Sequence, residues 1–245
     1  MPKIYLSPST QDWNMYVTGS GSEEYNMNLL ADALVPYLLS NGIQYQRNRP
    51  EMTAGSSIRE ANQGEYDLYL ALHSNAAPEG RYGEERGIIA FYYPGSVGGQ
   101  RAAELIAQEL RKIYPLPNKV TTRPTTSLGE VRQPRFPSVL LEIGYHDNTA
   151  DALWVENNLE AIAANLVLSL TEYFGLPFVV PLTPWRGTVR TRGGPLNLRT
   201  APALNGAVAA AMPDGAPVTV YGRYQDWYTV GYNGLLGYAF AEYIT

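Results

Sequence analysis

The sequence contains no cysteine and only two histidines, His73 and His146, in 245 residues. The first absence excludes disulfides, thiolate metal sites and a cysteine nucleophile. It is compatible with work outside a reducing cytosol. Together the two shortages restrict any metal site to His73, His146 and carboxylates. Charged residues make up 17% of the chain, below the usual share of roughly 25%. The formal net charge of −5 argues against nucleic acid as a partner. No stretch approaches about 18 consecutive apolar residues, which excludes a membrane-spanning helix. The first residues, Met1-Pro-Lys-Ile-Tyr-Leu-Ser-Pro8, enter a strand at once and carry no signal-peptide pattern. Action outside the cell then implies a removed leader or release by lysis. What is present suits one or two globular domains: 45% hydrophobic residues can build a core, and 19 tyrosines suit both sheet packing and polar, sugar-like or peptide-like surfaces.

The texture of the chain changes near residue 180. Before it, short apolar runs alternate with helical stretches. Residues 3–6, 43–47, 66–72, 87–93 and 138–143 read as strands. Residues 22–39 read as a helix with Met27, Leu30, Leu34 and Leu38 on one face and Asn41-Gly42 as its stop signal. Pro36 inside that stretch predicts a kink. Residues 57–63, 100–113 and 157–174 read as further helices. The alternation predicts an α/β domain over residues 1–178, with a mostly parallel twisted sheet flanked by helices. Residues 179–185 hold two prolines and read as a linker. Residues 186–245 carry short strands separated by Gly, Pro, Asn and Asp, the pattern of a small all-β barrel. That region has five arginines against three acidic residues, a net of +2, which leaves −7 for the rest of a chain of net −5. A mildly basic module on an acidic body suits docking on an anionic polymer.

Three polar residues lie where an apolar pattern would not put them. His73 closes the run Tyr66-Asp-Leu-Tyr-Leu-Ala-Leu-His73. A histidine at the end of a buried strand reaches the sheet edge, where loops build sites. Glu142 interrupts Val139-Leu-Leu-Glu-Ile-Gly144. A carboxylate there is costly unless paired, protonated or facing a metal. A glutamate at the strand's exit bonded to backbone amides is the plainer alternative. Glu24 occupies the first turn of the helix over 22–39, where the dipole favours acids and Ser22 is a good N-cap. Glu23 meets that need equally well. His146, in Tyr145-His-Asp-Asn148, reads as a solvated loop histidine.

Several strings carry a family resemblance. They are Glu23-Glu-Tyr-Asn-Met-Asn-Leu29, Ser57-Ile-Arg-Glu-Ala-Asn62, Asp67-Leu-Tyr-Leu-Ala-Leu-His-Ser-Asn-Ala76 and Pro137-Ser-Val-Leu-Leu-Glu-Ile-Gly-Tyr145. In this order and spacing, residues 1–175 resemble a zinc-dependent N-acetylmuramoyl-L-alanine amidase of the cell-wall hydrolase type. The resemblance implies Zn²⁺ held by Glu24 and His73, with Glu142 as the catalytic carboxylate. Family members usually carry a histidine shortly after the first strand. Here that stretch is Ser7-Pro-Ser-Thr-Gln-Asp-Trp-Asn14. A catalytic zinc takes three protein ligands plus water, so the third falls to Gln11 by position, with Asp12, Asn14 or His146 as alternatives. The resemblance further implies hydrolysis of the amide joining N-acetylmuramic acid to L-alanine, by a zinc-activated water whose proton Glu142 takes. Asn75 and Arg132 lie on segments near the site edge and are candidates to touch the stem peptide.

Residues 186–245 resemble a bacterial SH3-like domain, through Gly194-Pro-Leu-Asn-Leu-Arg-Thr-Ala-Pro202, Asp226-Trp-Tyr-Thr-Val-Gly-Tyr232 and Gly237-Tyr-Ala-Phe240. Such modules commonly attach enzymes to the wall. Trp227 is expected in the barrel core. The partner implied is peptidoglycan, glycan strand with stem peptide, with no nucleic acid and no membrane span, bound by a monomer that is extracellular or wall-associated. Two further readings remain open at this level: a non-catalytic peptidoglycan-binding protein with a degenerate metal site, and a zinc peptidase cutting within the stem. Phage lysis, spore-wall turnover and cell separation all fit.

Overall fold

A computed structural model describes residues 1–245. The chain divides into two compact units, one of residues 3–34 and 45–173, the other of residues 1–2, 35–44 and 174–245. The first is built on a six-stranded sheet of β1 (Lys3–Pro8), β2 (Gln44–Arg47), β3 (Leu68–Asn75), β4 (Ile88–Tyr92), β5 (Val120–Pro124) and β6 (Ser138–Tyr145). Their order is β2-β1-β3-β6-β4-β5. β1, β3 and β6 run parallel. β4 pairs antiparallel with β6 and parallel with β5, so the far edge runs the other way. The central strands are buried over nearly their whole length, which is why β3 and β6 read as continuous apolar runs.

Six helices accompany the strands: α1 (Glu23–Ser40), α2 (Ala54–Ala61), α3 (Val97–Leu110), α4 (Gly129–Arg132), α5 (Thr149–Asn157) and α6 (Leu159–Phe174). α1 continues through Pro36 rather than breaking there. Pro36 is on the exposed side, where a carbonyl freed one turn earlier meets water, while Leu34 and Leu38 stay fully buried. Ile58 and Ala61 of α2 and Val131 of α4 pack with Tyr5, Tyr69, Ala71 and Leu140 on one face of the sheet. α4 and β5 fall outside the elements expected from sequence. So does α5; the helix expected over 157–174 is α6, which follows α5 after Asn158.

α5 is held to the sheet through a buried acid. Asp151 accepts from the Tyr114 hydroxyl (2.6 Å), Arg86 Nε (2.8 Å), and the backbone N–H of Gly87 (3.0 Å) and Tyr145 (3.2 Å). Asp151→Ala strands these donors in the interior, so we expect a loss of about 3 kcal/mol, read from the urea midpoint of the purified protein.

The second unit contains an antiparallel barrel-like sheet of β7 (Trp185–Thr188), β8 (Leu196–Arg199), β9 (Val208–Met212), β10 (Pro217–Tyr224), β11 (Trp227–Tyr232) and β12 (Leu235–Phe240), in the order β7-β10-β11-β12-β8-β9. Val189, Leu198, Met212, Val220, Val230 and Ala239 form its core. Trp227 is buried edge-on against Phe240, as its reading as a core residue required. No helix of the chain is long and apolar enough to cross a membrane.

Candidate functional site

Strand register brings the two awkward polar residues together. His73 on β3 and Glu142 on β6 are direct partners in a parallel ladder. Residues paired in register leave the sheet on the same face, so imidazole and carboxyl stand side by side at the end of buried strands. Just beyond them the pairing slips, and Gly144 takes a φ of +73° that a side chain would resist. That irregularity ends the ladder where the loops after β1, β3 and β6 converge, the usual position for a site in an α/β sheet.

Two further carboxylates grip the imidazole. Glu23, the first residue of α1, places Oε1 2.8 Å from His73 Nδ1. Glu130, on the single turn of α4, places Oε2 2.8 Å from His73 Nε2. Both glutamates are buried. Burial acts to raise their pKa values, but the hydrogen bond and charge of His73 outweigh it and hold both below the ordinary carboxylate range. For His73, burial disfavours the charged ring, and the bonds to Glu130 and Glu23 more than reverse that, leaving its pKa well above the usual value. Glu142 differs. Burial, reinforced by the charges of Glu23 and Glu130 and only partly offset by His73, pushes its carboxyl up to about 7. Its Oε2 is buried without a hydrogen-bond partner.

The loop after β1 supplies carboxamides. Gln11 Nε2 lies 3.4 Å from both Glu23 Oε1 and His73 Nδ1. Asn14 Nδ2 donates to Glu23 Oε2 at 2.8 Å and to Gln11 Oε1 at 3.1 Å. The loop is fixed to the start of α1 by the backbone bonds of Glu23 N–H to Asn14 O and Glu24 N–H to Gln11 O.

Against the residues expected from sequence, His73, Glu142 and Gln11 are brought together, but Glu24 is not. Its neighbour Glu23 takes the place beside His73, and Glu24 lies about 100° further round the helix, partly exposed. Helix phase carried the missing signal. Counting back from Leu34, Leu30 and Met27 in steps of three and four reaches Glu23. Asp12 is exposed. His146 is buried rather than solvated: its Nδ1 lies 3.0 Å from Ser74 O, and its ring stacks on Tyr16. Those contacts tie it away from His73. Asn75 ends β3 with its side chain turned onto the N–H of Ala76. Arg132 faces solvent on α4, beside a surface cavity of about 310 Å³ that it shares with Tyr93 and Arg135. Glu130 was not among the expected residues. It sits in a segment too short to show any period.

An imidazole clasped by carboxylates, beside a carboxyl held near neutrality, is equipment for general acid–base chemistry. The chain belongs to the N-acetylmuramoyl-L-alanine amidase family, whose model matches residues 14–172. A bacterial SH3 domain model matches residues 194–245. Over 140 residues the chain is 28% identical to the germination-specific N-acetylmuramoyl-L-alanine amidase of Bacillus subtilis (strain 168), a match covering 51% of this chain and 56% of that protein. The chain thus spans little more than half the length of this curated relative. Among solved structures, the amidase AmiC2 of Nostoc punctiforme superposes with a TM-score of 0.63 at 15% identity, covering 71% of this chain and 97% of that one. The amidase Ami1 of Mycobacterium smegmatis does so with a TM-score of 0.60 at 14% identity, covering 71% and 97%. These likenesses establish the α/β fold. The amidase family is typically zinc-dependent.

Proposed function

We propose that the chain hydrolyses the amide between N-acetylmuramic acid and L-alanine in peptidoglycan, with Glu142 as proton carrier and Gln11, Glu23 and His73 as the face of a metal site. The observation that carries this reading is the buried, unpartnered Oε2 of Glu142 beside His73. An orphaned carboxyl oxygen in the interior is costly, and a site waiting for substrate is the reason to keep it.

The donor set fits zinc in an unusual way. No three His, Cys, Asp or Glu side chains converge on one point to hold an ion. With Gln11 included, three donors face one another at 2.8, 3.4 and 3.4 Å. Ligands about 2.0–2.1 Å from a tetrahedral zinc lie about 3.3 Å apart. A half-turn of the Gln11 carboxamide exchanges nitrogen for oxygen at its corner, giving up the bond that Asn14 Nδ2 donates to Oε1. A neutral carboxamide binds more weakly than imidazole but adds no negative charge. Zinc held there would polarise the scissile carbonyl and acidify a water. The rest is the work of side chains. Glu142 accepts a proton from the attacking water and returns it to the departing amine of L-alanine. Burial raises this carboxyl to about 7 in the metal-free site, and the positive charge of a bound zinc would lower it toward the carboxylate that takes the proton.

The barrel over residues 186–245 would hold the enzyme on the wall, consistent with extracellular or wall-associated action by a monomer. The mouth of one barrel groove, of about 290 Å³, is lined by Leu204, Trp227, Phe240, Tyr243 and Arg199, a mixture suited to peptide or sugar.

Digestion of purified wall tests the reaction. The expected products are stem peptides with a free L-alanine amine and glycan strands bearing unmodified lactyl carboxylates. Products that keep L-alanine on the sugar would identify a peptidase instead. Undigested wall with retained protein would identify a binding protein.

A further inference from the structure

We propose that Glu130 is a positioning residue: its carboxylate holds the Nε2 edge of His73, so that Nδ1 is the nitrogen presented to Glu23 and Gln11. This rests on the metal-site reading above and adds to it a residue that does not touch the ion or the substrate.

The argument is one of donors and acceptors. Glu130 Oε1 receives two hydroxyls, Ser7 Oγ at 2.7 Å and Tyr69 OH at 2.8 Å. Each hydroxyl has one proton to give. Ser7 Oγ in turn lies within 3.3 Å of the donor Asn48 Nδ2, whose other bonds run to Ser57 and Pro8. Oε1 is thereby filled by donors from β1 and β3. Oε2 remains for His73 Nε2, 2.8 Å away. A carboxylate can only accept, so Nε2 carries the proton in this pair. Glu23 Oε1 is equally close to Nδ1 and calls for a proton there too, but Glu23 and Gln11 stand on the loop side, where a bound metal would take that proton's place, whereas the Glu130 side is filled by hydroxyls and keeps its proton. Ligating histidines commonly give their second N–H to a carboxylate in this manner, which fixes both tautomer and ring angle.

The two carboxylates on His73 are not interchangeable. Glu23 is bonded by carboxamides from the loop after β1 and by the N–H of Ser74, on the side open to that loop. Glu130 is bonded only by buried hydroxyls and the ring. Its helical turn is itself anchored: the Ser138 hydroxyl donates to Val131 O at 2.6 Å, and Val131 packs into the core against Ile58 and Tyr69. A carboxylate so fixed restrains the imidazole without reaching the open side of the site.

The test compares wild type with Glu130→Ala and Glu130→Gln, by chelator-competition zinc titration and by nitrogen–proton NMR of the ring in histidine-labelled protein. Wild type should show a slowly exchanging His73 Nε2–H, with or without zinc. Glu130→Ala should lose that signal and bind zinc about 10–100-fold more weakly. Glu130→Gln keeps an oxygen acceptor and should fall between. If Glu130→Ala does not fold by circular dichroism, Glu130→Gln carries the comparison. An unchanged Nε2–H signal together with unchanged zinc affinity in the folded variants overturns the proposal. If wild type binds no zinc, the metal-site reading fails, and the ring signal alone still decides the role of Glu130.

Discussion

Glu142→Gln is expected to lower the rate of amide cleavage by about 10²–10⁴-fold while leaving zinc uptake and wall retention close to wild type. The substitution keeps the volume and removes the ability to take and return a proton. The same change should alter stability in a pH-dependent way. The folded-state pKa of Glu142 lies at about 7, above the ordinary glutamate value of 4.5. The wild-type carboxyl is therefore comfortable in the fold at low pH, and the comfort is lost as pH rises from about 4.5 through about 7. At pH 8 the chelated wild-type protein buries a charge that the variant lacks. Glu142→Gln should then be the more stable protein by about 2 kcal/mol, and this gain should vanish at pH 4. Denaturant titrations of both proteins in chelator at the two pH values measure it. A gain equal at both pH values would mean that Glu142 is not the buried acid described above. Full hydrolysis by the variant would remove Glu142 from the chemistry.

The second large effect is a contrast between neighbours. Glu23→Ala should lose stoichiometric zinc, and cleavage should fall by more than the about 10–100-fold typical of a change one shell further out. Glu24→Ala should stay within about 0.5 kcal/mol of wild type in stability, with near-normal turnover. The reason is geometric: Glu23 reaches His73 at 2.8 Å, whereas Glu24 is turned away. Zinc content by elemental analysis and release of stem peptides from wall give the two readouts. If the Glu24 variant were the inactive one, the helix phase of α1 would be wrong.

The legible parts of the site were those where chemistry opposes the local pattern. A histidine and a glutamate inside apolar strands stand out because burying them costs free energy. Glu23 and Glu24 were not distinguishable by residue type, since both satisfy the first turn of a helix. Only the phase set by Met27, Leu30 and Leu34 separates them. Glu130 gave no such contrast. It lies in a four-residue turn, between Leu128 and Val131, and its burial is created by Ser7, Tyr69 and His73, which are 57 to 123 positions away. The sheet's central strands were readable from their apolar runs, while β5, with Thr121, Thr122 and Arg123 along a partly exposed edge, lacks the alternation that marks a strand. His146 was misplaced because a turn sequence says nothing of what folds over it, here Tyr16.

The pairing of His73 with Glu142 through a backbone ladder also bears on how much this protein can be altered. The spacing of the two side chains is written into main-chain hydrogen bonds, so it does not depend on the length of any connection. The exposed stretch 79–84 between β3 and β4 could therefore be lengthened or exchanged with the spacing of His73 and Glu142 left as it is. The loop after β1 lacks that freedom. It carries Gln11 and is bonded to α1 at two backbone positions. Alteration of the loops around the site should begin after β3 and leave residues 9–14 untouched.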